Sequence, residues 1–254
     1  MPHATSSRAV LGLLVLVGLP AQAQRLPYEP STQEVLSCIV EPFRRVLVAS
    51  AVPGIARRVA FERGDVVQAG AILLELNSEA ERAGLNLSAE RAEFARRKLG
   101  RNREMTSRQL LSAQEVDDLR TEARLAELEA TRARVELERR HTLAPLTGII
   151  LERRVNQGEY VTTEPFAEMI ALNPLHAEVT LRSEAFGRVR VGMQASIALG
   201  QPVGETRTGE VGVVDRAIDS GSGSFRMRVV IANPNMTMPS GIGCRVLSVA
   251  AAGG

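Results

Sequence analysis

Between residues 78 and 141 the chain has no proline and is dense in Ala, Leu, Glu and Arg, a composition that favours helix at nearly every position. Its apolar residues fall on two rows. Val116, Leu119, Ala123, Ala126, Ala130, Ala133 and Leu137 recur at alternating spacings of three and four, and Leu85, Ser88, Ala92, Ala95 and Leu99 repeat that spacing upstream. Such alternation places a narrow seam along one side of a helix, as in a coiled coil. Ser78 with Glu81, and Ser112 with Glu115, each have the form of a capping box. Gly100 and Asn102 predict the end of the first helix. The stretch 78–141 is therefore expected to be a helical hairpin, and its seam alanines permit close approach. A second helix of about 28 residues is about 42 Å long at 1.5 Å per residue, which requires the hairpin to project. A pair packed flat on a sheet needs a broad apolar face. The outer positions here carry Arg91, Glu93, Arg96, Arg97, Glu122, Arg124, Glu129, Arg132 and Glu136 instead.

The segments on either side of the hairpin match each other. The first reads Gly54-Ile55, Val59, Gly64-Asp65-Val66-Val67, Gly70, then Leu73-Leu74 and Leu76. The second reads Gly148-Ile149-Ile150, Val155, Gly158-Glu159-Tyr160-Val161, then Met169-Ile170 and Leu172. Both run glycine, apolar strand, Gly-acidic-x-Val, closing strand. Gly64 and Gly158 are expected at positive φ in tight turns. Two half-sheets of this kind build a flattened barrel-sandwich whose halves, 46–77 and 142–172, are split by the hairpin. Residues 173–250 are again strand-like, with short apolar runs between Gly and Pro, and predict a small antiparallel β-barrel. Segment 24–45 is expected to join that barrel as an N-terminal strand. The fold class is mostly β with a long α-helical hairpin.

At the N-terminus, Arg8, the apolar run from Ala9 to Pro20, and Ala21-Gln22-Ala23 have the order of a secretory signal over 1–23, with the mature chain starting near Gln24. A membrane anchor is the alternative, but a run of about 12 residues is short of the about 20 that cross a bilayer. Export permits disulfides, and the chain has two cysteines, Cys38 and Cys244. A bond between them closes a loop of roughly 200 residues, worth about 4–5 kcal/mol in the chain-entropy account. Two separate buried thiols are the alternative. The net charge of +2 and the 3% aromatic content offer neither a basic block nor stacking platforms for nucleic acid.

Taken together, these residues resemble the biotinyl/lipoyl-carrier fold as it is split by a hairpin in periplasmic adaptors, also called membrane-fusion or HlyD-like secretion proteins. Carrier enzymes attach their cofactor to a lysine between the two halves. Here that point is Asn77-Ser78, and Lys98 is the only lysine of the chain, so no cofactor is expected. Adaptors of resistance–nodulation–division (RND) pumps carry Arg, Leu and Ser at the hairpin tip. Arg101, Met105 and Ser112 stand at the same spacings, followed by Gln114-Glu115 and Asp117, with Met in place of Leu. The resemblance implies that these residues contact an outer-membrane duct. On their own, Arg101 reads as a solvated arginine and Ser112 as a helix cap. Asp219, Ser222-Gly223-Ser224-Phe225-Arg226-Met227-Arg228 and Asn233-Pro234-Asn235 are similar to the adaptor barrel.

The resemblance further implies a periplasmic location, a TolC-type duct, an RND-type inner-membrane transporter as partner, and self-association into a ring. An ABC-type exporter or type I secretion system is the alternative partner. The membrane-proximal domain of many relatives is expected to be absent or reduced to the strand around Val35–Val40. A periplasmic enzyme on the same scaffold is the alternative of another class. His3, His141 and His176 are isolated, and no metal spacing, nucleophile elbow or phosphate loop is present. Met236 and Met238 are expected at alternate strand positions as packing residues rather than metal ligands.

Overall fold

Two strands are longer than one small sheet requires. In the computed structural model, which describes residues 27–31, 33–107 and 112–251, β1 (Val35–Ala49) lies antiparallel to β8 (Pro165–Arg182), with the register running from Val35 opposite Leu181 to Ala49 opposite Pro165. The secretory signal read at 1–23 lies outside the described residues. Both strands are rich in apolar residues, and both serve two hydrophobic cores. Val48 of β1 and Phe166, Ala167 and Met169 of β8 belong to one core; Cys38 and Val40 of β1 and Ala177, Val179 and Leu181 of β8 belong to the other. The positions 45/46 and 172/173 therefore fall inside continuous strands. A register shift between Pro42 and Arg44 marks the passage from one core to the other, and an irregularity of this kind bends and twists a strand.

The first core is enclosed by the duplicated segments. These are β2 (Gly54–Val59), β3 (Val66–Val67) and β4 (Ile72–Leu76) before the hairpin, and β5 (His141–Leu143), β6 (Gly148–Arg153) and β7 (Tyr160–Val161) after it. The halves exchange strands. Gly54 and Ile55 pair with Val161 and Tyr160, while Gly148 and Ile149 pair with Val67 and Val66. One sheet has the order β5-β4-β2-β7, and β6 joins the edge of β8. Gly64 and Gly158 take φ of +94° and +89°, where only glycine is free of strain. Each turn is tied by its acidic residue. Asp65 Oδ2 accepts from the Glu62 N–H at 2.8 Å, and Glu159 Oε2 accepts from the Asn156 N–H at 2.8 Å.

The second core lies inside a barrel formed by β1, β8, β11 (Ser224–Ile231), β10 (Thr206–Val214), β9 (Gln194–Leu199) and β12 (Cys244–Ala250) in that order. Met236 and Met238 lie in the loop between β11 and β12 rather than in a strand. Asn233, buried at 2% exposure, holds that loop. Its Nδ2 donates to the carbonyls of Leu172 at 2.9 Å and Met238 at 3.0 Å, and its Oδ1 accepts from the Met238 N–H at 3.2 Å. Those bonds occupy the backbone of Met238, so the methionines cannot join a ladder.

Two helices leave the first core between β4 and β5, namely α1 (Glu79–Ser107) and α2 (Ala113–Glu138). α1 passes through Gly100 and Asn102, where the sequence predicts its end. A helical glycine costs only about 1 kcal/mol relative to alanine, and the seam continues past it, with both Leu99 and Asn102 partly buried. The expected capping box at Ser78 gives way to another arrangement. Asn77 Oδ1 accepts from the Glu79 N–H at 3.2 Å, the Ser78 hydroxyl accepts from Arg82 Nε at 3.1 Å, and the Glu81 carboxylate is taken by Arg140.

Candidate functional site

The hairpin is the part of the fold that local sequence explains most directly. Ala92, Ala95 and Ala123 are buried between the helices, and the remaining seam residues are partly buried. Small side chains there let the backbones approach while the flanks carry charge. Arg96 meets Glu127 at 3.1 Å and Lys98 meets Glu122 at 2.8 Å across the interface. Exposed pairs of this kind each contribute at most about 1 kcal/mol, so they fix alignment more than stability. At the base, Arg140 is shared between the Glu81 carboxylate and the Pro53 carbonyl, the latter at 3.0 Å. Among the described residues, each helix makes its extended contacts with the other helix and none of comparable extent with a strand. At about 1.5 Å per residue the helices are about 44 and 39 Å long, so the pair projects as a spike.

Towards the tip, Arg101 is exposed on α1, while Met105 belongs to the last turns of α1 and its side chain lies outside the described residues. Ser112 is the N-cap of α2 in a complete capping box. Its hydroxyl oxygen accepts from the Glu115 N–H at 3.2 Å, and the Glu115 carboxylate accepts from the Ser112 N–H at 2.8 Å and hydroxyl at 2.7 Å. Those bonds, led by the one from the backbone, hold the Glu115 carboxyl below the usual carboxylate range. The cap sets where α2 begins and thus where Gln114 and Asp117 stand.

The outward faces of the helices carry residues that the sequence reading passed over. Leu87, Phe94, Leu125, Leu128 and Val135 are each about half exposed, at 54%, 53%, 57%, 48% and 49%. Leu87 and Phe94 are seven apart, as are Leu128 and Val135, so each pair occupies one heptad position and forms a stripe along the spike. That spacing was visible in the sequence, but charged neighbours masked it in a composition-based reading. Exposed apolar residues repeated along one side of a helix mark interaction sites.

The other residues singled out from sequence are dispersed. Cys38 and Cys244 are bonded to each other at the barrel. Gly54 opens β2, where a Cβ meets Arg140 Nη1 at 3.0 Å, and Gly148 opens β6, where a Cβ meets the Ile170 carbonyl at 2.1 Å. On the barrel exterior Arg226 pairs with Asp215 at 3.1 Å and Arg228 with Glu178. Among the described residues no three His, Cys, Asp or Glu side chains converge to hold a metal, and no helix is long and apolar enough to cross a membrane.

The same architecture occurs in solved structures. A MacA–MexA chimeric protein containing the Pseudomonas aeruginosa MexA α-hairpin domain superposes with a TM-score of 0.72 at 17% identity, covering 89% of this chain and 84% of that one. In sequence, the multidrug export protein AcrE of Escherichia coli is 27% identical over 229 residues, covering 79% of this chain and 60% of AcrE. The multidrug resistance protein MexA of Pseudomonas aeruginosa is 25% identical over 221 residues, covering 79% of this chain and 56% of MexA. The chain thus spans three fifths or less of the length of these relatives. Residues 44–171, half of the chain, match the CzcB-like barrel-sandwich hybrid domain, and the chain belongs to that family.

Proposed function

We propose that the protein is a non-enzymatic periplasmic adaptor of a tripartite efflux pump, joining an inner-membrane transporter of the RND type to an outer-membrane TolC-type duct. The observation that carries this reading is the spike, a two-helix coiled coil that leaves a barrel-sandwich and whose extended packing, among the described residues, is between its own two helices. A spike whose outer faces take no extended packing from the described residues is built to meet a partner outside it. The tip, with Arg101, Met105 and Ser112, faces the duct, and an exposed arginine on a preformed helix suits the role of interface anchor. The names of AcrE and MexA, multidrug export and multidrug resistance, indicate small molecules as cargo.

Self-association follows from the same surface. A monomer leaves the stripes of Leu87 and Phe94 and of Leu128 and Val135 half exposed. Residues repeating every seven positions fit a second helix laid alongside. In the assembly, neighbouring copies stand hairpin beside hairpin in a ring that lines the conduit.

A photo-cross-linking residue at position 101 tests the proposal in cells. The expected result is a covalent adduct with an outer-membrane duct protein, and a transporter recovered with the adaptor after mild chemical cross-linking. An RND transporter in that complex supports the full proposal, and an ABC exporter would replace the transporter class. Absence of any duct adduct, with the chain exported and folded, overturns it.

A further inference from the structure

The barrel is closed by ladders on every side except one. β8 holds β1 from Val35 to Ala49, β11 holds β8 over Ser224–Ile231, and β9 holds β12 over Cys244–Ala250. Where β12 comes round to β1, the described residues supply two short clusters of backbone bonds. At one end the Gly241 N–H donates to the Val40 carbonyl at 2.6 Å and the Val40 N–H to the Ile242 carbonyl at 2.9 Å. At the other, Tyr28, in the segment that leads into β1, and Val249 exchange two bonds of 2.7 Å each. Along β12 the Cys38–Cys244 disulfide stands between those clusters, with its two cysteines 206 positions apart in sequence. Cys38 is buried against the barrel core, and Cys244 is partly buried beside it.

We infer that the Cys38–Cys244 bond is the latch of the barrel, and that the seam between β1 and β12 is closed when the two thiols are oxidised and opens when the bond is reduced. The flanking ladders each keep a full set of backbone bonds without the disulfide, so they survive its loss. The seam does not, because a few terminal bonds fray readily when no covalent tie holds the strands in register. The chemistry is an ordinary exchange. A dithiol reductant transfers two electrons and two protons, the Sγ–Sγ bond becomes two thiols, and the reductant closes into its own cyclic disulfide. The barrel therefore takes its latched form only in an oxidising compartment. This inference is independent of which transporter or duct the chain meets.

Hydrogen–deuterium exchange read by mass spectrometry decides it on the folded full chain, before and after equilibration with dithiothreitol, and on C38S/C244S. Peptides carrying Tyr28, Val40, Gly241 and Val249 are expected to exchange about tenfold faster or more once the bond is gone, while peptides from α1, α2 and the β8–β11 ladder keep their rates. Unchanged seam peptides in the fully reduced protein overturn the latch. So does uniform acceleration across all peptides, which would make the bond a tie for the whole fold. Should C38S/C244S not fold, reduction of the already folded chain gives the same reading.

Discussion

The amide of Gly158 donates to the carbonyl of Ala56 at 2.8 Å, and the amide of Gly64 donates to the carbonyl of Ile150 at 2.9 Å. The two bonds are the same bond seen in each half of the molecule. The reciprocal bonds from the Ala56 N–H to Glu159 and from the Ile150 N–H to Asp65 measure 2.8 and 3.0 Å. The turn of each half is thus pinned to the glycine-led strand of the other, β2 or β6. Neither half can close its sheet alone, although the long hairpin separates them in sequence. An insertion at Asn77 is tolerated because the exchange of strands, not chain continuity, holds the module together.

The glycines of these halves differ in what they tolerate. G148A is expected to destabilise the protein by about 2–3 kcal/mol, since the added methyl meets a backbone carbonyl at 2.1 Å and overpacking at a site that cannot relax costs that much. G64A has open space around its Cβ and loses only about 1 kcal/mol for its positive φ. Urea midpoints of the two variants check the order, and a G64A protein less stable than G148A contradicts it.

Arg140 links the spike to its base. R140A removes the partners of both Glu81 and the Pro53 carbonyl in a partly buried place. The expected loss is about 1.5–3 kcal/mol, the range for a hydrogen bond to a charged group. Exchange at the first turn of α1 should quicken more than at the tip. Equal acceleration at both ends would mean that the base is not separately anchored.

His176 predicts how the barrel answers acid. It is buried, opposite Glu41 on β1 and Val230 on β11, with the Phe43 ring nearly perpendicular to it at 5.3 Å between ring centres. Burial first, and then the Arg228 guanidinium, push its pKa below the ordinary range, partly offset by Glu178 and Glu41. The unfolded chain then binds the proton more readily than the folded one. Stability is therefore full above about pH 6.5, the usual histidine value, and declines as pH falls from there towards the lowered folded value. H176Q should flatten this part of the pH profile of thermal unfolding. An unchanged slope would assign the acid response elsewhere.

The capping box predicts a local effect at the tip. S112A removes a complete box from α2 and is expected to cost about 1 kcal/mol of local helix stability. Because the Glu115 carboxyl is held low, the box is intact above the ordinary carboxylate range and is lost only as pH falls through the depressed value. Exchange at Val116 and Asp117 followed from pH 6 downward reads this directly, and S112A should abolish its pH dependence.

The apolar stripe yields a test of assembly. Phe94 and Leu128 are half exposed, so F94E and L128E should leave the melting temperature of the isolated chain nearly unchanged. Both should weaken self-association measured by sedimentation equilibrium. Variants that associate as the parent does would remove the stripe from the ring contact.

Local patterns in the sequence determined a good deal of this protein. The alternation of three and four gave the seam and the hairpin, Ser112 and Glu115 gave the start of α2, and the repeated Gly-acidic-x-Val gave two like half-modules. Each is a property of neighbours within about ten residues, where backbone geometry and side-chain spacing leave few choices. Tertiary structure decided the rest. The Val- and Leu-rich pattern of β1 and β8 suits any buried sheet, so nothing local told that both strands cross from one core into the other without a break. The end of α1 lies past Gly100 because one helical glycine costs only about 1 kcal/mol and the helix continues with Asn102 partly buried. Glu81 left its own helix cap for Arg140, which only the folded hairpin brings beside it. These outcomes rest on contacts between residues far apart in sequence, whose energies exist only once the chain has closed upon itself.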